Sequence, residues 1–330
     1  MGTENSAGLS SLFRPGKSGR NLLLCAAVVV GGLSMPLIAA DPESKPAGFA
    51  DGEHVVLIGN TLADRMQYSG WLETRLQLAF PGKHLTVRNM GWSADEVALM
   101  PRPLEFGPLE THLTHQKADT ILMCFGGNES FAGESGLAKF KVDLVALVER
   151  LKGQKFNGTS APRLILVSPI AHEQLGKPWP DAAPRNVELE RYTATMRESA
   201  AELGLEFIDL FHPTRTLMAE NQGAKMTING IHLTDEGYRT VTEIIALGLG
   251  VSDPLPRDAG SLQALRDAVI EKNRQFFLRW RPVNAEYVFG RRKEPFGVLS
   301  FPPEMAQLDR QIADLDQQIW KAAETLAKQP

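Results

Sequence analysis

Short runs of apolar residues alternate along the chain with longer segments in which apolar residues recur at helical spacing. The apolar runs lie at residues 54–58, 85–89, 120–125, 164–168 and 206–210. Runs of this length, bounded by turn-forming residues, are typical of buried strands. The spacing predicts helices over about residues 62–80, 136–151 and 187–203, and a further helix from the N-cap Thr234 to about residue 247.

Continuous apolar strands that alternate with amphipathic helices predict an α/β domain over residues 41–252. The expected architecture is a three-layer α/β/α arrangement, in which helices cover both faces of a parallel sheet. Such sheets bind their ligands beyond the carboxyl ends of the strands. Polar motifs that follow a strand or open a helix are therefore expected to meet at one edge.

The pattern changes at residues 253–256, and residues 253–330 are predicted to form a helical C-terminal extension. A helix over about residues 261–280 leads into an irregular segment rich in Pro and Gly, residues 281–303. An apolar stripe follows at Leu308, Ile312, Leu315, Ile319, Ala322 and Leu326. Its heptad-like spacing fits either packing on its own domain or a homodimer through this helix. We expect the extension to dock on the domain, because so short a segment lacks a core of its own.

The first forty residues have the pattern of a secretory signal peptide. Basic residues precede an apolar stretch at residues 21–30, and small residues lead to Ala40 before the acidic Asp41. The apolar stretch is short and is interrupted by glycine and proline, which disfavours a stable membrane span. The sequence therefore predicts cleavage after Ala40 and an exported chain; an uncleaved anchor is the alternative.

Charge and cysteine content narrow the function classes further. Without residues 1–40 the chain keeps 32 Lys and Arg against 38 Asp and Glu, which disfavours a nucleic-acid partner. Cys124 is then the only cysteine, so no internal disulfide can form. Export without disulfides favours a bacterial periplasm or cell surface.

No cofactor or metal is expected from the motifs. The chain has no phosphate-binding loop, dinucleotide fingerprint or Cys/His cluster. His112 and His115 have helical spacing, but no third ligand accompanies them.

Four short blocks, each at a strand end or just before a helix, carry the candidate chemistry. They lie at residues 55–62, 89–93, 126–129 and 229–234. In this order they resemble the first, second, third and fifth conserved blocks of the SGNH (GDSL-type) hydrolases. The resemblance covers about residues 54–249, and it implies an α/β/α hydrolase that acts on esters.

The resemblance implies a role for one residue or more in each block. Thr61 takes the position of the nucleophile, and His232 takes that of the base. Asn229 stands where the family has the carboxylate that orients the base. The N–H of Gly91 and the side chain of Asn128 are the implied oxyanion donors. Acyl transfer needs all of these parts.

Several positions depart from the family's pattern. Thr61 replaces the family's serine, and its β-methyl group crowds the approach to the hydroxyl. Asn229 replaces the triad aspartate, and a neutral amide does not stabilise a positively charged His232. In a serine protease the corresponding change costs about 10⁴-fold in kcat. Asn60 and Glu129 also replace acidic residues of the first and third blocks.

Each key residue also has an interpretation without catalysis. Thr61 fits the N-cap of the following helix, and His232 fits a residue that only holds its loop. Gly91 and Gly126 fit tight turns, and Asn128 fits a turn residue.

Other residues add less specific candidates. Ser93 is a second candidate nucleophile, although a serine at this position more often bonds within its loop. Four carboxylates could cluster near the site or line a solvated rim: Asp95, Glu96, Glu129 and Glu134. Trp179 could supply an aromatic wall for a sugar.

The sequence as a whole predicts an exported ester hydrolase whose substrate is a small-molecule or carbohydrate ester, with an O-acyl group on a carbohydrate favoured. Two other functions stay open. One is a catalytically impaired member that binds a glycan. The other is a scaffold protein that acts through its C-terminal extension.

Overall fold

Five short strands form one parallel sheet, in the order β2-β1-β3-β4-β5. The structure is a computed structural model that describes residues 48–220, 223–253, 255 and 259–328. The strands are β1 His54–Gly59, β2 Thr86–Asn89, β3 Thr120–Cys124, β4 Arg163–Val167 and β5 Glu206–Ile208. This sheet confirms the predicted α/β class. The predicted signal peptide lies outside the described residues.

The sheet forms because its strands are apolar on both faces. In β1, Val55 and Leu57 pack into the core on one side of the sheet, whereas Val56 and Ile58 pack into the core on the other. All four side chains are almost fully buried. A strand buried on both faces has no polar side to offer to water, so helices must cover both.

Helices cover the sheet and continue into the C-terminal extension. They are α1 Thr61–Ser69, α2 Trp71–Ala79, α3 Leu109–His115, α4 Gly133–Lys152, α5 Ala183–Leu203, α6 Phe211–Glu220, α7 Asp235–Gly248, α8 Ala259–Trp280, α9 Ala285–Val288 and α10 Val298–Ala327. None of the helices in the described part of the chain is long and apolar enough to span a membrane.

The helix predicted over residues 62–80 is wrong in one respect, because the structure has two helices there. Gly70 separates α1 from α2 with a φ of 67°, a left-handed conformation that ends a helix. The helices α3 and α6 were not predicted. The last helix, α10, begins earlier than its apolar stripe indicated and contains Pro302 and Pro303. Neither proline has an N–H, so neither donates a hydrogen bond within the helix.

The C-terminal extension contacts the sheet through α8 and α10. Trp320 of α10 donates its indole N–H to the carbonyl of Leu85 at 2.8 Å. Arg88 of β2 donates to both carboxylate oxygens of Asp316, at 3.1 and 2.5 Å. The apolar stripe is used within the chain, since Ile312 and Ile319 are buried. A homodimer through this helix stays a prediction.

A buried ion pair joins α8 to α2. The ammonium of Lys272, which is fully buried, donates to Glu73 at 2.6 Å and to the carbonyl of Val87 at 2.8 Å. Burial raises the pKa of Glu73 and lowers that of Lys272. The negative charge of Glu73 and the positive charge of Lys272 therefore compensate each other.

Replacing Lys272 with methionine should strongly destabilise the protein. The change leaves the carboxylate of Glu73 buried without its cation, and breaking such a pair costs about 3–5 kcal/mol. Urea unfolding of the purified variant measures the loss.

The double variant Glu73→Gln/Lys272→Met is the control. It should be more stable than Lys272→Met alone, because no unpaired charge stays buried. Independent, additive losses would show that the pair matters for packing rather than for charge.

Candidate active site

A cavity opens at the carboxyl ends of β1, β3 and β4, where the sequence places its motifs. It contains about 710 Å³ of empty space, counting its open mouth. Its lining consists of Asn60, Thr61, Leu62, Cys124, Phe125, Gly127, Asn128, Phe131, Pro169, Ile170, Arg185, Leu189, Ile231, His232 and Tyr238. Three of the five residues predicted for the site, Thr61, Asn128 and His232, thus line the same cavity.

Thr61 is the first residue of α1 and is partly exposed to the cavity. The N-cap of this helix is Asn60, whose side chain accepts the N–H of Leu62 at 3.1 Å. The alternative interpretation of Thr61 as the N-cap is therefore wrong by one residue. The hydroxyl of Thr61 accepts the N–H of Ala94 at 3.4 Å. Thr61 is thus free of the capping role, and its hydroxyl lies beside the loop that follows β2.

His232 is in contact with Asn229, but the hydrogen bond between them runs in the unfavourable direction. The amide oxygen of Asn229 accepts the backbone N–H of His232 at 2.9 Å and that of Ile231 at 3.3 Å. The amide nitrogen consequently faces Nδ1 of His232, at 2.8 Å. Because an amide nitrogen only donates, Nδ1 must accept and the ring proton lies on Nε2.

This arrangement weakens His232 as a base. In a triad, Nδ1 carries the proton and donates it to a carboxylate, which leaves Nε2 free to accept the proton of the nucleophile. Here Nε2 already carries the ring proton. Burial, and then the charge of Arg65, lower the pKa of His232, so the imidazolium form is disfavoured as well.

A second carboxylate, Glu173, holds the loop that carries His232. It is buried and accepts the N–H groups of Met226 and Thr227 at 3.1 and 2.7 Å, and the hydroxyl of Thr227 at 2.6 Å. The N–H of Glu173 donates to the carbonyl of Gly230 at 2.8 Å. Glu173 was not predicted from the sequence, because a single Glu in a loop has no pattern that sets it apart.

Gly91, expected as an oxyanion donor, already uses its N–H within its loop. Its N–H donates to the side chain of Asn89 at 2.9 Å, and the residue is not among those that line the cavity. A Cβ atom at Gly91 would lie 2.5 Å from the backbone nitrogen of Asp64. Gly91 is therefore explained by the close approach of α1, and its N–H is not a free oxyanion donor.

Asn128 lies in the cavity wall, at the start of a short 3-10 helix. Its side-chain amide has no partner among the described residues, so it is available to a ligand. The neighbouring Glu129 is buried and accepts the N–H groups of Gly126 and Val97 at 2.8 and 3.0 Å. Burial raises the pKa of Glu129 to about 7. Glu129 thus fixes the loop that presents Asn128.

The other acidic residues do not form a cluster in the cavity. Asp95 is buried and pairs with Arg102 through both carboxylate oxygens, at 2.7 and 2.6 Å. Glu134 pairs with Arg191 at 3.2 Å. Neither carboxylate is among the residues that line the cavity.

Ser93 bonds within its loop. Its hydroxyl donates to the carboxylate of Asp64 at 2.5 Å, and its N–H donates to the same oxygen at 3.1 Å. Arg281, from the C-terminal extension, holds the other oxygen of Asp64 at 2.9 Å. Ser93 is not among the residues that line the cavity, which favours Thr61 as the nucleophile.

The aromatic wall of the cavity is Phe131 rather than Trp179. The ring of Phe131 is 70% exposed and lines the cavity, whereas Trp179 does not. The guanidinium of Arg185 lies over this ring, 3.7 Å from its centroid. Arg185 was not predicted from the sequence, although a cation in the first turn of a helix is unusual because it opposes the helix dipole.

Comparisons with known proteins agree with this geometry. Residues 49–240 match the model of the GDSL-like lipase/acylhydrolase family. No protein of curated function matches the chain significantly.

Several solved structures resemble this chain at low identity. A gut microbial diltiazem-metabolizing enzyme superposes with a TM-score of 0.60 at 12% identity, over 84% of this chain and 96% of that one. An acetylxylan esterase from Geobacillus stearothermophilus gives a TM-score of 0.49 at 18% identity, over 62% of this chain and 96% of its own. An alpha/beta hydrolase enzyme from the metagenome of Lake Arreo, Spain, gives 0.47 at 19% identity, over 62% and 99%.

The family match spans more than half of the chain, and it includes the blocks that carry Thr61, Asn128 and His232. The sheet order and the cavity at the strand ends fit the same assignment. The sequence blocks of the chain implied the same fold and the same ester-hydrolase chemistry. The chain belongs to the GDSL-like lipase/acylhydrolase family.

Proposed function

We propose that the protein is an exported hydrolase that removes a short acyl group from an ester, with Thr61 as nucleophile and His232 as base. The observation that carries this proposal is the lining of a single cavity by Thr61, Asn128 and His232. In the reaction, the hydroxyl oxygen of Thr61 bonds to the ester carbonyl carbon while Nε2 of His232 takes the hydroxyl proton. This step uses the minor tautomer of His232, with the ring proton on Nδ1; because the amide of Asn229 disfavours that tautomer, the wild type should be slow. The alcohol then leaves with that proton, and water releases the acyl group from Thr61.

Asn128 would supply an oxyanion donor, since its amide is unpaired and lies in the cavity wall. A positioned donor of this kind is worth about 10²–10³-fold in kcat. Because the N–H of Gly91 donates to Asn89, any second donor must come from elsewhere in the cavity.

The proposed substrate is an O-acyl group on a carbohydrate. The exposed ring of Phe131 at the cavity offers a flat surface to a sugar ring. The cavity proper, with a volume of about 130 Å³, suits a small acyl group, and the carrier would lie in the open mouth. Export depends on the signal peptide predicted for residues 1–40.

The second candidate function is binding without turnover. The observation that favours it is the orientation of Asn229, whose amide nitrogen faces Nδ1 of His232. With its proton on Nε2, His232 is a donor to a bound ester rather than a base. Hydrolysis of acetylated polysaccharides by the purified protein separates the two functions.

The double variant Thr61→Ser/Asn229→Asp should hydrolyse 4-nitrophenyl acetate about 10²-fold faster than the wild type. The new carboxylate would accept Nδ1–H of His232, and the loss of the methyl group would open the hydroxyl to the ester. This gain is smaller than the ~10⁴-fold in kcat that the orienting carboxylate contributes in a serine protease. The two changes should be strongly non-additive, because they act on one unit. Initial rates of the single and double variants measure this.

Two results would contradict this mechanism. A wild type that is fast, and is slowed by both changes, would mean that the site uses another chemistry. A folded double variant without activity would show that the cavity has diverged beyond these two residues.

The acid limb of the wild-type pH–rate profile should have its midpoint below 6.5, the ordinary pKa of histidine. Only neutral His232 can accept a proton, and burial lowers its pKa. Activity should therefore persist to lower pH than an unperturbed histidine allows. In Asn229→Asp the carboxylate stabilises the imidazolium, so the limb should move to higher pH. If the acid limb of the pH–rate profile does not move in that variant, His232 is not the group whose titration the limb reports.

His232→Ala should abolish whatever turnover the wild type shows, because it removes the proton acceptor. Initial rates with 4-nitrophenyl acetate measure the loss, and His115→Ala serves as the control, since His115 is not among the cavity residues. Activity that survives in His232→Ala would exclude His232 as the base.

A further inference from the structure

Two arginines beside the cavity differ from the other arginines whose side chains are not exposed. Within the described residues those others all form ion pairs with Asp or Glu: Arg75, Arg88, Arg102, Arg163, Arg191, Arg266, Arg279 and Arg281. Arg65 and Arg185 are partly buried and form no ion pair there. Neither guanidinium therefore pairs directly with a carboxylate in this part of the chain. The carboxylate that acts on Arg185 from a greater distance is Glu188, which pairs with Arg191.

Arg185 uses only part of its donor capacity. Its Nη2 donates to the carbonyl of Gly127 at 2.7 Å and to the hydroxyl of Ser130 at 2.6 Å. Its Nη1 and Nε have no partner among the described residues. Burial lowers the pKa of Arg185, so the charge is partly desolvated. A partly desolvated cation without a directly paired carboxylate costs free energy, and the anion of a ligand would offset that cost.

The cavity itself carries positive charge that its walls do not balance. Arg185 is one of its lining residues, and the lining contains no Asp or Glu. Arg65 lies close behind, since its charge lowers the pKa of His232 and acts in the same direction on Tyr238. Thr61 and Leu62, in the first turn of α1, add the positive end of a helix dipole.

We propose that the cavity takes an anionic ester, in which a carboxylate on the carrier binds Arg185 while the acyl group lies at Thr61. The proposal rests on the proposed hydrolase function and specifies its substrate class. A guanidinium suits this role because its N–H donors match a carboxylate in geometry and charge. On a carbohydrate, the carboxylate would be that of an acidic sugar.

Arg185 also has a structural role, because it holds the carbonyl of Gly127 next to Asn128. A purely structural role would affect neutral and anionic esters alike. Recognition of the carboxylate would affect only the anionic ester. The ratio of kcat/KM for two matched esters therefore separates the two roles.

The matched pair is 4-acetoxybenzoate and 4-acetoxybenzamide, which share the acyl group and differ mainly in charge. The wild type should prefer the anion by about 10-fold or more, the range of a hydrogen bond to a charged group. Arg185→Gln should remove this preference, mainly by slowing hydrolysis of the anion. Arg215→Gln is the control, since Arg215 also lies over an aromatic ring, 5.3 Å from the centroid of Phe211, but is not among the cavity residues. It should leave the ratio unchanged.

Calorimetric binding of both esters to His232→Ala distinguishes a failure of this proposal from a failure of the hydrolase function. Tighter binding of the anion that Arg185→Gln abolishes would support the anion site even if no variant turns over. Equal kcat/KM and equal affinity for the two esters would overturn it, whether or not the protein is a hydrolase. A preference for the anion that survives in Arg185→Gln would also overturn it.

Discussion

Two buried carboxylates hold the edge of the sheet where the cavity lies. Backbone N–H groups that leave a strand and are shielded from water must find an acceptor. Glu129 accepts from Gly126 and Val97, and so ties the loop after β3 to the loop after β2. Glu173 accepts from Met226 and Thr227, and so ties the loop after β4 to the loop before α7. The positions of Asn128 and His232 depend on these bonds.

Within this frame, the side chain of Asn229 decides how His232 is bonded. The backbone N–H groups of Ile231 and His232 bind the oxygen of Asn229, as they would bind one oxygen of an aspartate. The amide nitrogen of Asn229 therefore faces His232, where an aspartate would present its second oxygen. Replacement of one oxygen by NH₂ thus reverses a hydrogen bond and leaves the loop in place.

The sequence predicted the meeting of Thr61, Asn128 and His232, because all three lie next to strand ends or helix starts and parallel strands share one carboxyl edge. It did not predict Arg185 or Glu173, since their partners are distant in sequence and are found only after folding. The surroundings of Gly91 were not predicted for a similar reason. A side chain at Gly91 would collide with the backbone of α1, which packs against this position. A glycine after a strand indicates close approach, but it does not tell which group approaches.

The C-terminal extension is connected to the same edge. Arg281 pairs with Asp64 and lies over the ring of Trp92, 4.1 Å from its centroid. Asp64 in turn accepts the hydroxyl of Ser93, whose neighbour Ala94 donates to Thr61. A chain of direct contacts therefore runs from the extension to the candidate nucleophile. The loop after β2 is held by residues of the α/β domain and by Arg281 of the extension. The extension is therefore part of the structural support of the site.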